Sequence, residues 1–138
     1  MSRFAITDIH GCARTFRVLL EKIRFSREDE LYLLGDYINR GPDSKGVIDL
    51  ILELRETGHT VRCLRGNHDQ MLLDGIDREY HFKYHETWYG RDTLASFGVQ
   101  HPRELPRRYL DFFRGLPFYL EAPPYLLVHA GLNFHIGD

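Results

Sequence analysis

The chain has 138 residues, of which 43% are hydrophobic and 28% charged, a composition typical of one globular domain and unlike that of a disordered chain. The formal net charge of -2 indicates no basic surface that would neutralise a nucleic-acid backbone, so we expect no nucleic-acid polymer as a partner. The apolar runs are too short for a membrane helix or a secretory signal, so we expect no membrane association. The two cysteines, Cys12 and Cys63, favour a pair of buried reduced thiols in a cytoplasmic protein over a disulfide.

Short apolar runs followed by polar loops predict three buried strands in the first half of the chain. They cover residues 3–7, 31–34 and 61–64. Apolar residues at helical spacing predict helices over residues 13–24 and 42–58, and the second of these ends at Gly58. This alternation of strand, loop and helix predicts an α/β fold with a mostly parallel sheet and helices packed on it.

The middle of the chain has a different composition. Residues 74–98 are rich in aromatic, histidine and charged side chains with weak periodicity, and residues 105–116 show the pattern of one more helix. We therefore predict a helical cap or insertion near residues 74–116, within a single domain that covers residues 1–138. A last apolar run at residues 126–128 predicts a fourth strand.

Polar side chains follow each of the four predicted strands at the point where the strand ends. In chain order they are Asp8, His10, Asp36, Asn67, His68 and His129. The carboxyl ends of parallel strands lie side by side, and ligand sites of open α/β sheets form there. Carboxylate, imidazole and amide groups together suit divalent manganese, iron or zinc. One histidine after a strand is more often a hydrogen-bonding loop residue, but the joint occurrence at four strand ends predicts a metal site.

The blocks that contain these residues resemble the signature blocks of the calcineurin-like metallophosphoesterases. They are DIHGC from Asp8, GDYINRGPDS from Gly35, RGNHDQML from Arg65 and VHAG from Val128, in the family's order. They are most similar to the bacterial branch of the phosphoprotein phosphatases, which includes the symmetrical diadenosine tetraphosphatases. The resemblance implies a metallophosphoesterase-like β-sandwich flanked by helices, of which we expect this chain to contain only the N-terminal part.

The resemblance also implies two divalent metal ions, manganese by preference, with iron or zinc as alternatives. Asp8, His10 and the bridging Asp36 would bind the first ion. Asp36, Asn67 and His129 would bind the second. We expect these cations to offset phosphoryl charge and to make hydroxide available near neutral pH.

Three further residues match positions near the reacting groups in the family. Arg40 matches the phosphate-binding arginine, and His68 matches the general acid that protonates the leaving oxygen. Asn39 occupies a position where the protein phosphatases usually have an aspartate paired with the catalytic histidine. We expect Asn39 to accept a hydrogen bond there without contributing charge.

The family also places a metal-binding histidine in a Gly-His block downstream of HAG, and no such block occurs in this sequence. We therefore expect the second metal to bind more weakly than the first. We also expect exposed apolar surface, covered either by further chain of a longer protein or by a homo-oligomer. His135 follows His129 too closely to replace the downstream ligand.

Side chains in the predicted insertion have two interpretations each. His81 and His85 are spaced to bind a metal on one helix face, although exposure or a place beside the substrate is the more common outcome. The aromatic residues could stack on a nucleobase or form a small local core. They are Tyr80, Phe82, Tyr84, Trp88 and Tyr89.

The predicted function is hydrolysis of phosphoesters by a metal-activated hydroxide that attacks phosphorus, in an enzyme of the protein-phosphatase type. The blocks DYINRGPDS and GRDTLASFGV favour this type, with a phosphorylated protein or a small phosphoester or nucleotide as substrate. Asn39 and the sequence GNHD favour the alternative, a hydrolase of diadenosine tetraphosphate. A third hypothesis, from another class, is an inactive binding or scaffold module with an incomplete metal centre, which metal occupancy would distinguish.

Overall fold

The computed structural model describes residues 1–132, which form five α-helices and five β-strands. In chain order these are β1 (Arg3–Ile6), α1 (Ala13–Lys22), β2 (Glu30–Leu33), α2 (Ser44–Glu56), β3 (Thr60–Cys63), α3 (Asn67–Asp77), α4 (Trp88–Ser96), α5 (Arg107–Arg114), β4 (Tyr119–Ala122) and β5 (Tyr125–Val128). Short 3₁₀ turns lie at Tyr84–Glu86 and Pro102–Glu104. The α/β class predicted from the sequence is confirmed.

The three strands of the first half form a parallel sheet in the order β1-β2-β3. The central strand β2 is the most deeply buried, with Leu31 and Leu33 fully inaccessible to solvent. Helix α2 begins at Asp43, whose side chain accepts the Gly46 N–H at 2.7 Å, as a helix N-cap does. Its apolar face, including Val47 and Ile51, is buried in the same core as the sheet. The parallel order places the loops after all three strands at one edge.

The fourth predicted strand is not part of this sheet. Strand β5 pairs antiparallel with β4, and the two form a separate two-stranded sheet with Tyr119 opposite Val128. The expectation that four parallel strand ends lie side by side is therefore wrong for the fourth strand. Only Pro123 and Pro124 separate β4 from β5, and such a short connection permits a local hairpin but no parallel crossover.

The region predicted as a helical insertion contributes to the same hydrophobic core as the sheet. Tyr84 and Phe113 are fully buried, and Leu94 is 1% exposed. The aromatic residues of this region separate into two groups, because Tyr84 belongs to the core whereas Tyr80 and Trp88 are 92% and 59% exposed. The assignment of residues 74–116 as a distinct cap within one domain stays a prediction.

Large apolar side chains are exposed on and beside the β4–β5 hairpin. Phe118 and Tyr125 are 65% and 68% exposed, and Tyr119 and Leu126 are also exposed. This agrees with the expectation of exposed apolar surface. Whether further chain of a longer protein or a second copy covers it stays a prediction. None of the helices within residues 1–132 combines the length and hydrophobicity that crossing a membrane requires.

The two cysteines are free thiols in different environments. Cys63 at the end of β3 is buried, whereas Cys12 is exposed, so the expectation of two buried thiols is wrong for Cys12. Burial raises the pKa of the Cys63 thiol to about 11. Since the thiolate is the reactive form, Cys63 has two reasons to be inert in the folded protein.

We predict that a chromogenic disulfide reagent labels one thiol rapidly in the native protein and the second only in urea. Cys12→Ser should remove the fast phase and Cys63→Ser the slow one, as measured by stopped-flow absorbance. Rapid labelling of both thiols without denaturant would contradict the buried position of Cys63.

Candidate metal centre

The loops that follow the parallel strands converge, and the predicted site residues lie on them. Asp8 and His10 follow β1 and Asp36 follows β2. The loops are joined by backbone hydrogen bonds, with the His10 N–H donating to the Asp36 carbonyl at 2.9 Å and the Asp8 N–H to the Gly35 carbonyl at 3.2 Å.

Two of the remaining site residues lie on a helix rather than in the predicted loop. Asn67 and His68 occupy the first turn of α3. The helix begins here because Gly66 is its N-cap residue and the Asp69 side chain accepts the Gly66 N–H at 2.8 Å. His129 follows β5 and reaches this edge from the hairpin. His135 lies outside the described residues.

An unusual backbone conformation marks the site. Five of the six non-glycine residues with positive φ within residues 1–132 are predicted site residues. They are Asp8 (54°), His10 (44°), Asp36 (57°), Asn39 (71°) and Arg40 (69°). Such conformations cost about 1–3 kcal/mol each and concentrate at functional sites, where the surrounding structure enforces them. Backbone strain therefore supports the same residues that the sequence motifs indicate.

The side chain of Asp36 lies at the centre of the cluster and is almost fully buried. Its Oδ1 accepts the backbone N–H of His68 at 2.9 Å. Its Oδ2 lies 3.5 Å from Nε2 of His10 and 3.4 Å from Nε2 of His129. One carboxylate oxygen thus faces two imidazoles that come from different parts of the chain.

Backbone carbonyls determine which nitrogen of each imidazole carries the proton. Nδ1 of His10 lies 2.8 Å from the Ile38 carbonyl, and Nδ1 of His129 lies 2.7 Å from the Leu34 carbonyl. A carbonyl can only accept a hydrogen bond, so both rings donate from Nδ1, and in the neutral ring each Nε2 keeps a free lone pair within 3.5 Å of Asp36. Converging lone pairs repel one another unless a cation lies between them. Carbonyl-oriented histidines of this kind are typical of metal ligands.

The separations between these atoms are close to those around a divalent cation. Neighbouring ligand atoms around an ion with bonds of about 2.1 Å are about 3.0–3.4 Å apart. Nε2 of His129 lies 3.0 Å from Oδ1 of Asn67, within this range, whereas Nε2 of His10 lies 3.7 Å from Oδ1 of Asp8 and would move closer on binding an ion. The donor set of oxygen and imidazole nitrogen, without sulfur, suits manganese, iron or zinc.

Asp69 is a functional residue that the sequence reasoning passed over. Its carboxylate is fully buried and accepts three backbone N–H groups, those of Asp36 and Gly66 at 2.8 Å and that of Tyr37 at 3.1 Å. Burial raises the pKa of the Asp69 carboxyl to about 7, and the three N–H donors act in the opposite direction. The sequence signal was its place as the third residue of a helix, where a carboxylate caps the N-terminus.

Gly66 is required by the close approach between the loop after β2 and the start of α3. A Cβ atom at position 66 would lie 2.1 Å from Oδ1 of Asp36 and 2.3 Å from its backbone nitrogen. Any side chain there would displace the central carboxylate, so the glycine of the RGNHDQML block is a geometric requirement of the site.

Asn39 contacts His68 with the opposite polarity to that expected. Its Nδ2 donates to Nδ1 of His68 at 2.9 Å, while its Oδ1 accepts from the hydroxyls of Tyr84 and Thr93. The expectation that Asn39 accepts a hydrogen bond from His68 is therefore wrong, because two hydroxyl donors already occupy its oxygen. Burial lowers the pKa of His68, and the charge of Asp36 opposes this effect.

Arg40 lies at the rim of the site and is exposed. Among residues 1–132, no carboxylate lies within ion-pair distance of its guanidinium. It lines an open groove together with Pro42, Asp92 and Ser96. The guanidinium is therefore available for an anion, and its role stays a prediction.

The sequence model of the family described as calcineurin-like phosphoesterase matches residues 1–137. The chain belongs to this family. The symmetrical bis(5′-nucleosyl)-tetraphosphatase of Nitrosomonas europaea is 37% identical over 136 residues, which are 96% of this chain and 45% of that protein. The corresponding protein of Nitrosospira multiformis is 34% identical over 138 residues, 96% of this chain and 44% of that protein. The chain thus spans less than half the length of these relatives.

Solved structures show the same fold. A protein serine/threonine phosphatase from Saccharomyces cerevisiae superimposes with a TM-score of 0.71 at 19% identity, over 95% of this chain and 38% of that one. A protein provisionally named a diadenosine tetraphosphatase gives a TM-score of 0.69 at 26% identity, over 98% of this chain and 52% of that one. The first likeness is informative about the fold alone.

Within residues 1–132, one other cluster has metal-binding side chains, but its hydrogen bonds argue against a metal. Glu79, His85 and His101 bring ligand atoms within 4.8 Å of one another, whereas His81 is not part of the cluster. Nδ1 of His101 accepts the Arg103 N–H at 3.1 Å, so its Nε2 carries the proton and donates to Glu79 at 2.7 Å. Arg103 also pairs with Glu79 at 2.8 Å. Glu79 is thus already neutralised.

We predict that Asp69→Asn destabilises the protein by about 3 kcal/mol, because an amide NH₂ would meet buried N–H donors that now share one carboxylate. Urea unfolding followed by circular dichroism measures the change. The matched control is Asp111→Asn, which alters an exposed carboxylate paired with Arg107 and should cost less than about 0.5 kcal/mol. Equal losses of stability for the two substitutions would show that the hydrogen bonds of Asp69 to the three backbone N–H groups do not stabilise the fold.

Proposed function

We propose that the chain is the metal-binding part of a hydrolase that cuts phosphate esters or anhydrides with two divalent metal ions. The observation that carries this proposal is the convergence of two imidazole Nε2 atoms on the buried oxygen of Asp36. In this proposal Asp8 and His10 complete one metal site with Asp36, and Asn67 and His129 complete the other. Membership of the calcineurin-like phosphoesterase family supports the same chemistry.

Bound divalent cations would supply Lewis acidity to the phosphoryl oxygens and acidify a water molecule. The protein's own groups would then perform three tasks. Asp36 would hold the cations at a fixed separation, and Arg40 would orient the phosphoryl group through the planar fork of its guanidinium. His68 would donate from Nε2 to the leaving oxygen. Because its Nδ1 accepts from Asn39, the ring is neutral, so it would stabilise the developing negative charge through a hydrogen bond, and complete proton transfer would require the imidazolium.

A dinucleoside polyphosphate is the first candidate substrate. Relatives named symmetrical bis(5′-nucleosyl)-tetraphosphatase are 34–37% identical over nearly the whole chain. Asn39 in place of an aspartate agrees with this candidate, because an anhydride has a phosphate leaving group that needs less protonation than a serine alkoxide.

A phosphorylated protein is the second candidate, and one observation favours it. The two blocks that resemble bacterial phosphatases are in direct contact, because the Thr93 hydroxyl donates to Asn39 at 2.8 Å and lies 3.2 Å from the Ser44 hydroxyl. An inactive binding module is the remaining hypothesis, and a chain that binds no manganese would favour it. Manganese as the metal, a cytoplasmic location and a homo-oligomer stay predictions.

We predict that Mn²⁺ activates hydrolysis of diadenosine tetraphosphate and of p-nitrophenyl phosphate, and that chelation abolishes both activities. Asp36→Ala should lower kcat by roughly 10³-fold or more, since the carboxylate serves both cations. Asp111→Ala, at an exposed position, is the control and should retain full activity. An Asp36→Ala protein with most of its activity would refute the two-metal assignment. Parallel assays on a phosphoserine peptide rank the two candidate substrates.

We predict that His68→Gln affects substrates according to their leaving group. Hydrolysis of a phosphoserine peptide should fall by about 10²-fold or more, because the alkoxide must be protonated as it leaves. Hydrolysis of p-nitrophenyl phosphate should fall far less, because nitrophenolate is a stable anion. Steady-state kinetics on both substrates measure the ratio, and equal losses would exclude the proton-donor role.

A further inference from the structure

The amide of Asn39 lies in a fully buried polar cluster that links the loop after β2 to the helical region. Its Oδ1 accepts from the Tyr84 hydroxyl and from the Thr93 hydroxyl at 2.8 Å. Its Nδ2 faces Nδ1 of His68 at 2.9 Å. Asn39 and Tyr84 are fully buried and Thr93 is 1% exposed, so water does not compete for these hydrogen bonds.

The surrounding donors determine the orientation of this amide. The Thr93 hydroxyl oxygen accepts the backbone N–H of Asn39 at 3.2 Å and lies 3.2 Å from the Ser44 hydroxyl. With those partners in place, its own proton points to Oδ1 of Asn39. A rotated amide would turn its NH₂ group towards both hydroxyls and leave the buried Tyr84 O–H without that acceptor, a loss of about 1–3 kcal/mol. The observed orientation is therefore the stable one.

The backbone around Tyr84 fixes the position of its hydroxyl. A Cβ atom at Gly75 in α3 would lie 2.5 Å from the Tyr84 Cβ, and one at Gly90 in α4 would lie 2.0 Å from the Tyr84 carbonyl. Two glycines thus let both helices close on this residue. Tyr84 cannot shift to follow a rotated amide without displacing a helix.

The orientation of Asn39 has a consequence for His68. Because an amide NH₂ can only donate, Nδ1 of His68 accepts, and the proton of the neutral ring is on Nε2. Within residues 1–132, Nε2 of His68 has no hydrogen-bond partner, and the residue is 6% exposed. The rings of His10 and Tyr89 flank it, with centroids at 4.8 Å and 5.8 Å.

We infer that Tyr84 and Thr93 are positioning residues, which act through Asn39 to hold His68 in the tautomer protonated at Nε2. The inference concerns the tautomer, and only its kinetic consequence rests on the proposed function. Residues of the helical region thus determine which group of Asn39 faces His68, although they bind neither the predicted metal ions nor the substrate.

The tautomer can be measured directly by ¹⁵N NMR of the histidine rings in the full chain, with the His68 signals assigned by their loss in His68→Gln. We expect the wild-type ring to show an unprotonated Nδ1 and a protonated Nε2. The double variant Tyr84→Phe/Thr93→Val should show a mixture of both tautomers, because its amide is free to rotate. Asn39→Asp should place a proton on Nδ1, because a carboxylate can only accept. An unchanged Nε2–H tautomer in the double variant would overturn the inference.

Kinetics provide a second readout on the poor leaving group of a phosphoserine peptide. Thr93→Val should lower kcat in proportion to the fraction of His68 rings that lose the Nε2 proton in the spectra, with KM changed less than about twofold, and Thr93→Ser, which keeps the hydroxyl, should restore it. Tyr109→Phe is the control, because it removes a hydroxyl bonded to Asp49 at 2.7 Å, away from His68. Thermal unfolding shows whether each variant is folded, and the single variants decide the question if the double variant is not.

The two readouts separate failure of the inference from failure of the proposed function. A wild-type chain without hydrolytic activity would refute the proposed function while the ring spectra still decide the tautomer. A Thr93→Ser variant as impaired as Thr93→Val, with unchanged ring spectra in both, would overturn the inference.

Discussion

The buried carboxylate of Asp69 is the interaction on which the geometry of the site depends. It accepts N–H groups from both the loop after β2 and the start of α3, so a single side chain joins the segment that carries Asp36 to the segment that carries Asn67 and His68. These N–H groups lie where the chain leaves the sheet, so they have no hydrogen-bond acceptor on a neighbouring strand. A buried carboxylate is stable only when it is hydrogen-bonded, and buried N–H groups need an acceptor, so each side of this contact satisfies the other.

Once these segments are joined, the strained residues have no alternative conformation. Asp8, His10 and Asp36 have positive φ values, which turn the chain sharply soon after each strand ends. The polar side chains of these loops therefore lie close together at the candidate metal centre. The loops are also packed too tightly to relax, because a Cβ atom at Gly41 would lie 1.9 Å from the His10 carbonyl. The cost of the strain is offset by the backbone hydrogen bonds between the loops, of which the Gly11 N–H to Tyr37 carbonyl contact at 2.8 Å is one.

The sequence predicted the parallel sheet and the identity of the converging side chains, because both follow from local patterns. Residues 31–34 have the pattern of a buried strand, and the carboxylate of Asp36 two residues later is a local signal that needs no knowledge of the rest of the chain. Strand β4 was not predicted, since its four residues alternate only weakly and are stable as a strand only when paired with β5. The polarity of Asn39 was unpredictable for a different reason. It is decided by Tyr84 and Thr93, which lie 45 and 54 residues away in the sequence.

That distance along the chain explains what the aromatic, weakly periodic stretch contributes. An asparagine has no intrinsic preference for presenting its oxygen or its nitrogen to a neighbouring imidazole, so the residue type at position 39 leaves the proton on His68 undetermined. Two hydroxyl donors on its far side remove the ambiguity, and they must be buried to do so, because water could serve either orientation. Burial of Tyr84 in turn requires the close approach of α3 and α4 at glycine positions. A change in how these helices pack would therefore alter hydrogen bonding at His68 while every predicted metal ligand stayed in place.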